Sequence, residues 1–247
     1  MEPDNRDFIK LRAQLAFNQD DYAKAVELLK PISKKPEELL LLAEVMRADR
    51  QFKEAAEIVQ SISDSGDPII KVAINRLNAK LMIDTQNYSD AKRIMLKALR
   101  ECPDNILYLV DLSAIERIVD SDLIASETLQ KAVESVSDNT TKMELQTLAD
   151  ELYRNSKYNQ AAPIYEKLSE HGTSVALFDR ILLSHYQSGQ LKEALETAKK
   201  MDITYGSLRR HSEIQSVIFE YVGDLNSAKE TCQRYLAKYP DDIEMRL

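Results

Sequence analysis

The sequence predicts an all-α protein built from a row of antiparallel helix pairs, each about 34 residues long. Three observations lead to this prediction: an alanine that recurs at a nearly constant spacing, a second position at a fixed distance before it that is mostly small, and a scarcity of glycine. Only 5 of the 247 residues are glycine and 7 are proline. Such a composition suits long helices joined by short turns.

The recurring alanine marks the second helix of each pair. The successive intervals between copies are 30, 36, 34, 36, 33 and 34 residues. The seven copies are Ala25, Ala55, Ala91, Ala125, Ala161, Ala194 and Ala228. An aromatic or apolar residue stands three positions earlier in every copy except one, where Asp122 takes its place. Further apolar or small residues follow at four and seven positions, so the set forms one face of a helix.

The third copy shows the pattern most clearly, in the stretch Asn87–Asn105. Its residues Tyr88, Ala91 and Met95 recur at three- and four-residue steps and therefore share one side of a helix. Pro103 ends this helix, because its ring cannot continue the hydrogen-bond ladder. One helix cannot bury this apolar face alone, so the pattern predicts packing against neighbouring helices.

A first helix precedes each of these second helices. Small residues at a fixed point allow two helix backbones to approach closely, and they occupy most of the positions twelve residues before the alanines. That set is Ala13, Ala43, Ala79, Ser113, Ala149, Leu182 and Ser216. Short polar turns such as Ser188–Gln190 separate the two helices. Two helices and a tight turn in about 34 residues predict an antiparallel pair.

This pattern resembles the tetratricopeptide repeat (TPR) superfamily over essentially the full chain. The period, the small residue, the alanine and the turns Pro103-Asp104-Asn105 and Pro240-Asp241-Asp242 carry the resemblance. The departures are the absence of tryptophan, a short first repeat, and Asn75 and Ser212 where a large apolar residue is usual. The resemblance implies a right-handed superhelical α-solenoid forming one domain over residues 1–247. The expected repeats are 6–36, 37–68, 69–105, 106–139, 140–173, 174–207 and 208–242, and 243–247 would open a truncated further helix.

The two ends of the chain resemble turns between repeats. Pro3 and Pro240 each lie shortly before a helix opening, and no polar capping helix follows Pro240. Because repeat arrays usually finish with a polar cap, we expect this chain to be a segment of a longer protein. A complete small protein with frayed ends is the alternative.

Composition narrows the classes of function. The net charge of -8 and the pI near 5.1 disfavour nucleic-acid binding, which needs a basic surface. No stretch approaches 18 apolar residues, so we expect no membrane insertion. We predict no enzyme, no cofactor and no metal site, because no phosphate-binding or nucleophile motif occurs and the three histidines lack partners at ligand spacing. Two unpaired cysteines and a first stretch without a signal peptide make the cytoplasm the default location, and the periplasm remains an option for a segment excised from a secreted protein.

The resemblance also implies a concave groove lined by the first helices, and two sets of residues there are candidates for binding. The cationic set suits an acidic segment of a protein or peptide partner, because arginine pairs with carboxylates through two hydrogen bonds. It consists of Arg47, Arg76, Lys80 and Arg117. The aromatic-apolar set contains tyrosines, which are frequent binding hot spots. It consists of Tyr153, Leu183, Tyr186, Val217 and Tyr221.

Each set has an alternative interpretation. The arginines could pair within the chain with Glu44, Asp84 or Asp111, and Tyr153 and Tyr186 could only fill gaps between repeats. Some members of the superfamily clamp a C-terminal carboxylate with Lys, Asn, Asn, Lys and Arg.

The carboxylate clamp does not match this sequence. At the best register, Arg76 and Lys80 occupy the first two positions and Asp111 the third, where its charge would repel a carboxylate. Met143 and Thr147 replace the last two. We therefore do not expect binding of chaperone tails.

The leading functional hypothesis is a non-catalytic protein–protein interaction scaffold that holds a partner segment in the groove. Two alternatives stay open. One is a bacterial envelope, secretion or polysaccharide-export assembly scaffold. The other is a regulatory repeat array attached to an enzyme domain outside this segment. Both depend on the flanking gene sequence, and fold alone does not decide between them.

Overall fold

A computed structural model describes residues 6–242, and these residues form fourteen α-helices and no β-strand. The helices are α1 (Arg6–Asn18), α2 (Tyr22–Leu29), α3 (Pro36–Ala48), α4 (Phe52–Ser61), α5 (Pro68–Asp84), α6 (Tyr88–Glu101), α7 (Ile106–Val119), α8 (Asp122–Glu134), α9 (Lys142–Arg154), α10 (Tyr158–Ser169), α11 (Val175–Gln187), α12 (Leu191–Tyr205), α13 (Arg209–Tyr221) and α14 (Leu225–Lys238). The predicted all-α fold of seven helix pairs is confirmed over this range. The predictions for 1–5 and 243–247 lie outside the described residues.

Burial of the recurring residues explains why the pairs form. The seven recurring alanines are at most 4% exposed, and the seven residues twelve positions earlier are at most 7% exposed. In the third pair, for example, Ala91 of α6 and Ala79 of α5 are 0% and 1% exposed. A larger side chain at either point would separate the helix backbones. The two sets therefore form the contact between the helices of each pair.

The turns inside the pairs share one backbone conformation. In six of the seven, the residue five positions before the recurring alanine has a positive φ, between 56° and 81°. These residues are Asp20, Arg50, Gln86, Ser156, Gly189 and Gly223. The next N–H then donates to a carbonyl in the last turn of the first helix, as from Asn87 to Met82 at 2.7 Å. This is the Schellman arrangement, which ends one helix and reverses the chain within a few residues.

The chain divides into two compact units, Met1–Ser135 and Val136–Leu247. The first contains α1–α8. Within it, each second helix packs on the first helix of the next pair, α3 also contacts α5, and α5 contacts α7. Asn75 of α5, which stands where a large apolar residue is usual, donates a hydrogen bond to the Tyr108 hydroxyl at 2.9 Å. A polar contact thus replaces an apolar one at this junction.

The start of α3 is fixed by a carboxylate. Glu38 accepts hydrogen bonds from the backbone N–H groups of Lys34 and Lys35, at 3.0 and 3.2 Å, and lies 3.1 Å from the Lys10 ammonium of α1. The two backbone donors, followed by Lys10, lower the pKa of Glu38 to about 2. Glu38 therefore satisfies donors at the helix start and links the first two pairs while it is ionised.

The second unit contains α9–α14. Within it α10 packs on α11, and α12 packs on α13. Leu182 of α11 is completely buried with Ala194 and Ala198 of α12 and Ile218 of α13. The helix α10 continues through Pro163, whose side chain is exposed. An exposed position allows a proline inside a helix, because water can satisfy the carbonyl that loses its donor.

Candidate functional site

Arg76 of the cationic set forms a two-point ion pair across two first helices. Its Nε lies 2.5 Å from Asp111 Oδ2, and its Nη2 lies 3.1 Å from Asp111 Oδ1. Both side chains are 17% exposed. Since Arg76 lies on α5 and Asp111 on α7, the pair ties the third helix pair to the fourth. Planar two-point pairing of this kind is both strong and directional.

Arg47 and Lys80 of the cationic set share carboxylates on α3 and α5. Lys80 Nζ lies 3.0 Å from Glu44 Oε1, and Arg47 Nη1 lies 2.7 Å from Asp84 Oδ2. A longer contact of 3.4 Å joins Arg47 Nη2 to Glu44 Oε1. Among the described residues, the Arg47 Nε is one of four buried side-chain atoms without a hydrogen-bond partner. These contacts bridge α3 and α5 twice.

Arg117 differs from the other three cations because its partner lies on the next helix of the chain. Its Nε is 3.3 Å from Asp122 Oδ1 at the start of α8. Each of the four predicted cations thus has a carboxylate of the same unit beside it. An acidic segment that binds here must compete with these carboxylates for the same donors. The assignment of the cationic set to partner binding stays a prediction.

Tyr153 of the aromatic-apolar set packs edge-on against two other tyrosines. The ring centroids lie 5.1 Å from Tyr158 and 6.3 Å from Tyr165. The Arg180 guanidinium of α11 lies 4.5 Å from the Tyr153 ring centre, close enough for a cation–π contact. Tyr153 therefore holds α9, α10 and α11 together.

Tyr165 is the buried member of this aromatic cluster. It is completely buried, and its hydroxyl donates to Asp150 Oδ1 at 2.6 Å. Burial, together with the hydrogen bond to the Asp150 carboxylate, raises the pKa of Tyr165 above its usual range. The hydroxyl therefore stays protonated and keeps its role as the donor to Asp150.

The remaining members of the aromatic-apolar set differ in exposure. Tyr186 and Leu183 are half-buried, and Tyr186 packs against the buried cluster of α11, α12 and α13. Val217 and Tyr221 on α13 are 46% and 81% exposed. The set therefore includes side chains that pack inside the unit as well as side chains that face solvent.

Two further apolar residues extend the exposed part of this surface. Val222 and Leu225, in the turn after α13 and at the start of α14, are 58% and 67% exposed. With Val217 and Tyr221 they form what we call the α13–α14 corner. Sequence reasoning missed Val222 and Leu225 because it considered only positions on the first helices. The signal was partly present, since Val222 stands where five of the six other pairs carry polar residues such as Thr85, and only Val119 shares its apolar character.

Two of the three histidines, His185 and His211, are buried beside polar partners. His185 is buried, with Gln190 at 2.7 Å and Glu166 at 3.0 Å from its ring nitrogens, and His211 lies 2.6 Å from Asp179. Residues 6–242 contain no group of three or more His, Cys, Asp or Glu side chains that could hold a metal ion. None of the fourteen helices in this range has both the length and the apolar content that a membrane-spanning segment requires.

One solved structure resembles this fold with a TM-score above 0.5, and two others match below that value. The C-terminal part of a TPR repeat-containing protein from Cytophaga hutchinsonii matches with a TM-score of 0.53 and 14% identity, over 95% of this chain and 96% of that one. A TPR protein from Parabacteroides merdae matches with a TM-score of 0.41 and 14% identity, over 98% and 96%. PilW, a type IV pilus biogenesis factor, matches with a TM-score of 0.48 and 14% identity, over 85% and 96%. No family model and no curated protein matches the sequence.

The class of fold follows from these observations together. Consecutive antiparallel helix pairs, buried alanines at the repeat spacing and the likeness to the Cytophaga structure show the fold of a tetratricopeptide repeat array. The resemblance noted in the sequence is therefore confirmed at the level of fold. At 14% identity, the likeness carries no partner and no pathway to this chain.

Proposed function

We propose that this chain is a non-catalytic scaffold that binds a segment of another protein, and that the α13–α14 corner is part of its docking surface. The observation that carries the proposal is the exposure of Tyr221, at 81%, beside three other exposed apolar residues. The equivalent positions in the two other pairs of the second unit hold the polar residues Arg154 and Gln187, whereas Ile118 takes this place in one pair of the first unit. This pair thus departs from the solvated turns of its neighbours.

The chemistry of the corner suits a protein partner. Exposed apolar side chains that cluster, in contrast to single ones, mark interaction sites on soluble proteins. A tyrosine offers a large apolar ring with a polar hydroxyl and loses little conformational freedom on binding. The preferred segment therefore presents apolar side chains to Val217 and Tyr221, with a hydrogen-bond acceptor near the phenol.

An acidic segment of the partner binds the cationic set only if it replaces the carboxylates that already pair with those cations. A carboxylate of the partner gains Arg76 or Lys80 as a donor when it displaces Asp111 or Glu44, and the displaced carboxylate must return to water. Binding through this set is consequently sensitive to salt, since the competing charges are partly exposed.

A comparison of two variants tests the role of the corner. Immobilised wild-type chain and the Val217→Ser/Tyr221→Ser variant are used for affinity capture from a lysate of the source organism, with quantitative mass spectrometry. The control is Ile203→Ser, which removes one apolar side chain that is 86% exposed on α12, away from the corner. We expect the captured partner to be lost from the corner variant and retained by the control. Retention of the same proteins by both variants would remove the corner from the proposal.

A further inference from the structure

An apolar cavity of about 100 Å³ lies between α1, α2 and α3 in the first unit. Its walls are Ala13, Phe17, Leu29, Leu41 and Val45. Three of them are buried, at 2% for Ala13, 1% for Leu29 and 3% for Val45, while Phe17 and Leu41 are half-buried. The cavity is open on one side.

The next junction shows how such a space is closed elsewhere in the same unit. Between α3 and α5, Glu44 reaches Lys80 and Arg47 reaches Asp84, at 3.0 and 2.7 Å. These bridges join residues that lie eleven positions and seven or eight positions before the recurring alanines. The long side chains and their ion pairs span the gap between the first helices.

The junction between α1 and α3 has different residues at the same positions. Gln14 stands opposite Glu44, and Phe17 stands opposite Ala48. The Gln14 Nε2 donates to Asn18 Oδ1 of its own helix, at 3.0 Å. Neither ion pair of the next junction has a counterpart at these positions, and the cavity occupies this place.

The cavity combines an apolar interior with polar groups at its opening. Gln14, which is exposed, and Glu44, which is half-buried, complete the lining. An enclosed apolar cavity of about 150 Å³ takes up benzene. A cavity of about 100 Å³ has room for a smaller group. Filling it restores dispersion contacts that the lining side chains lack.

We propose that this cavity receives one aliphatic side chain, such as that of leucine, from a bound polypeptide segment. Peptide groups of the segment hydrogen-bond to the Gln14 amide and donate to the Glu44 carboxylate at the opening. An amino-acid residue matches this lining because it carries an apolar side chain on a polar, hydrogen-bonding backbone. The inference rests on the proposed function, and it adds a side-chain preference at a place other than the α13–α14 corner.

The test uses N-acetyl-leucine methylamide as the probe, with protein carrying ¹³C-labelled leucine and valine methyl groups. We expect saturable NMR shifts at Leu29, Leu41 and Val45, and at least ~10-fold weaker binding of N-acetyl-alanine methylamide, because two or more methylene-sized groups are lost. The absence of saturable shifts, or equal binding of the alanine compound, overturns the proposal. Isobutanol that binds as tightly as the leucine compound overturns the polypeptide part, because the polar opening then contributes nothing.

Two variants complete the experiment. Gln14→Leu places an aliphatic side chain at the opening on an exposed helix position, so the fold is retained and uptake of the leucine compound is expected to fall at least ~10-fold. Leu41→Ala enlarges the cavity and is expected to shift the preference toward N-acetyl-phenylalanine methylamide. Unchanged uptake of the leucine compound by the Gln14 variant, or an unchanged preference in the Leu41 variant, contradicts the proposal. Because this experiment does not involve Tyr221, its failure is distinguishable from failure of the proposed docking at the α13–α14 corner.

Discussion

Removal of the Arg76–Asp111 ion pair tests how far α5 and α7 depend on charge for their contact. The change is a double-mutant cycle made of Arg76→Ala, Asp111→Ala and the double variant. Charge reversal is less informative, because a glutamate at position 76 would stand beside Asp111 and destabilise the junction by repulsion. Alanine removes the pair without adding a new interaction at this site.

The expected coupling energy follows from the geometry. Two unit charges ~3.5 Å apart attract by ~5 kcal/mol at an effective dielectric constant of ~20. Desolvation opposes this attraction, since each side chain is only 17% exposed. Hydrogen bonds to charged groups contribute a net of about 1.5–3 kcal/mol. We therefore expect a coupling energy of about 1.5–3 kcal/mol between Arg76 and Asp111.

The assay is urea unfolding followed by circular dichroism, because urea, unlike guanidinium, does not screen charges. A control cycle on Arg93 and Asp90 uses a pair within one helix whose side chains are 77% and 40% exposed. Its coupling should be much smaller, since solvent screens it. Equal coupling in the two cycles, or less than about 0.5 kcal/mol for Arg76 and Asp111, would refute the reasoning.

Three other changes probe the core and the start of α3. Met95→Ala, at a completely buried site, should lower the free energy of unfolding by about 2–5 kcal/mol, while Leu96→Ala, 42% exposed on the same helix, should lower it by only about 1 kcal/mol in urea unfolding. Ala91→Glu should unfold the third helix pair, because it buries a charge in a helix contact, and an unchanged melting temperature would argue against that packing role. Glu38→Gln should be less stable than wild type near neutral pH. Because the folded pKa of Glu38 is lowered to about 2, its contribution is present above pH ~4.5 and is lost as the pH falls toward 2. The difference in urea midpoint should therefore close over that window, and a constant difference would exclude Glu38 as its source.

The sequence predicted the repeating part of this fold because helix periodicity and burial are tied together. The recurring alanines, such as Ala55 and Ala161, are all buried in the structure, as their spacing predicted. Leu182, the largest residue at the position twelve before them, is also completely buried. Periodicity identifies the face of a helix that packs, and this was sufficient for the pairs.

The candidate surfaces were less predictable because they depend on side-chain conformation. The register placed Arg76 and Lys80 on first helices, but the choice of Asp111 and Glu44 as their partners depends on rotamers and on the distance between helices. The cavity beside Gln14 depends on that same distance. In the sequence, the cavity is marked only by uncharged Gln14 and Phe17 at the positions where α3 carries Glu44 and Arg47. This difference becomes informative only after the ion pairs between α3 and α5 are known.

The left-handed turns have a consequence for how much stability this array could still gain. Gln86 adopts a φ of 62° and Arg50 one of 61°, where Gly189 and Gly223 occupy the equivalent places in later pairs. For a residue other than glycine, this left-handed backbone conformation raises the free energy of the folded state by about 1 kcal/mol or more. Gln86→Gly should therefore raise the melting temperature, in contrast to the usual effect of introducing glycine. A stabilising substitution of this kind is expected to exist, because natural proteins are selected only for sufficient stability.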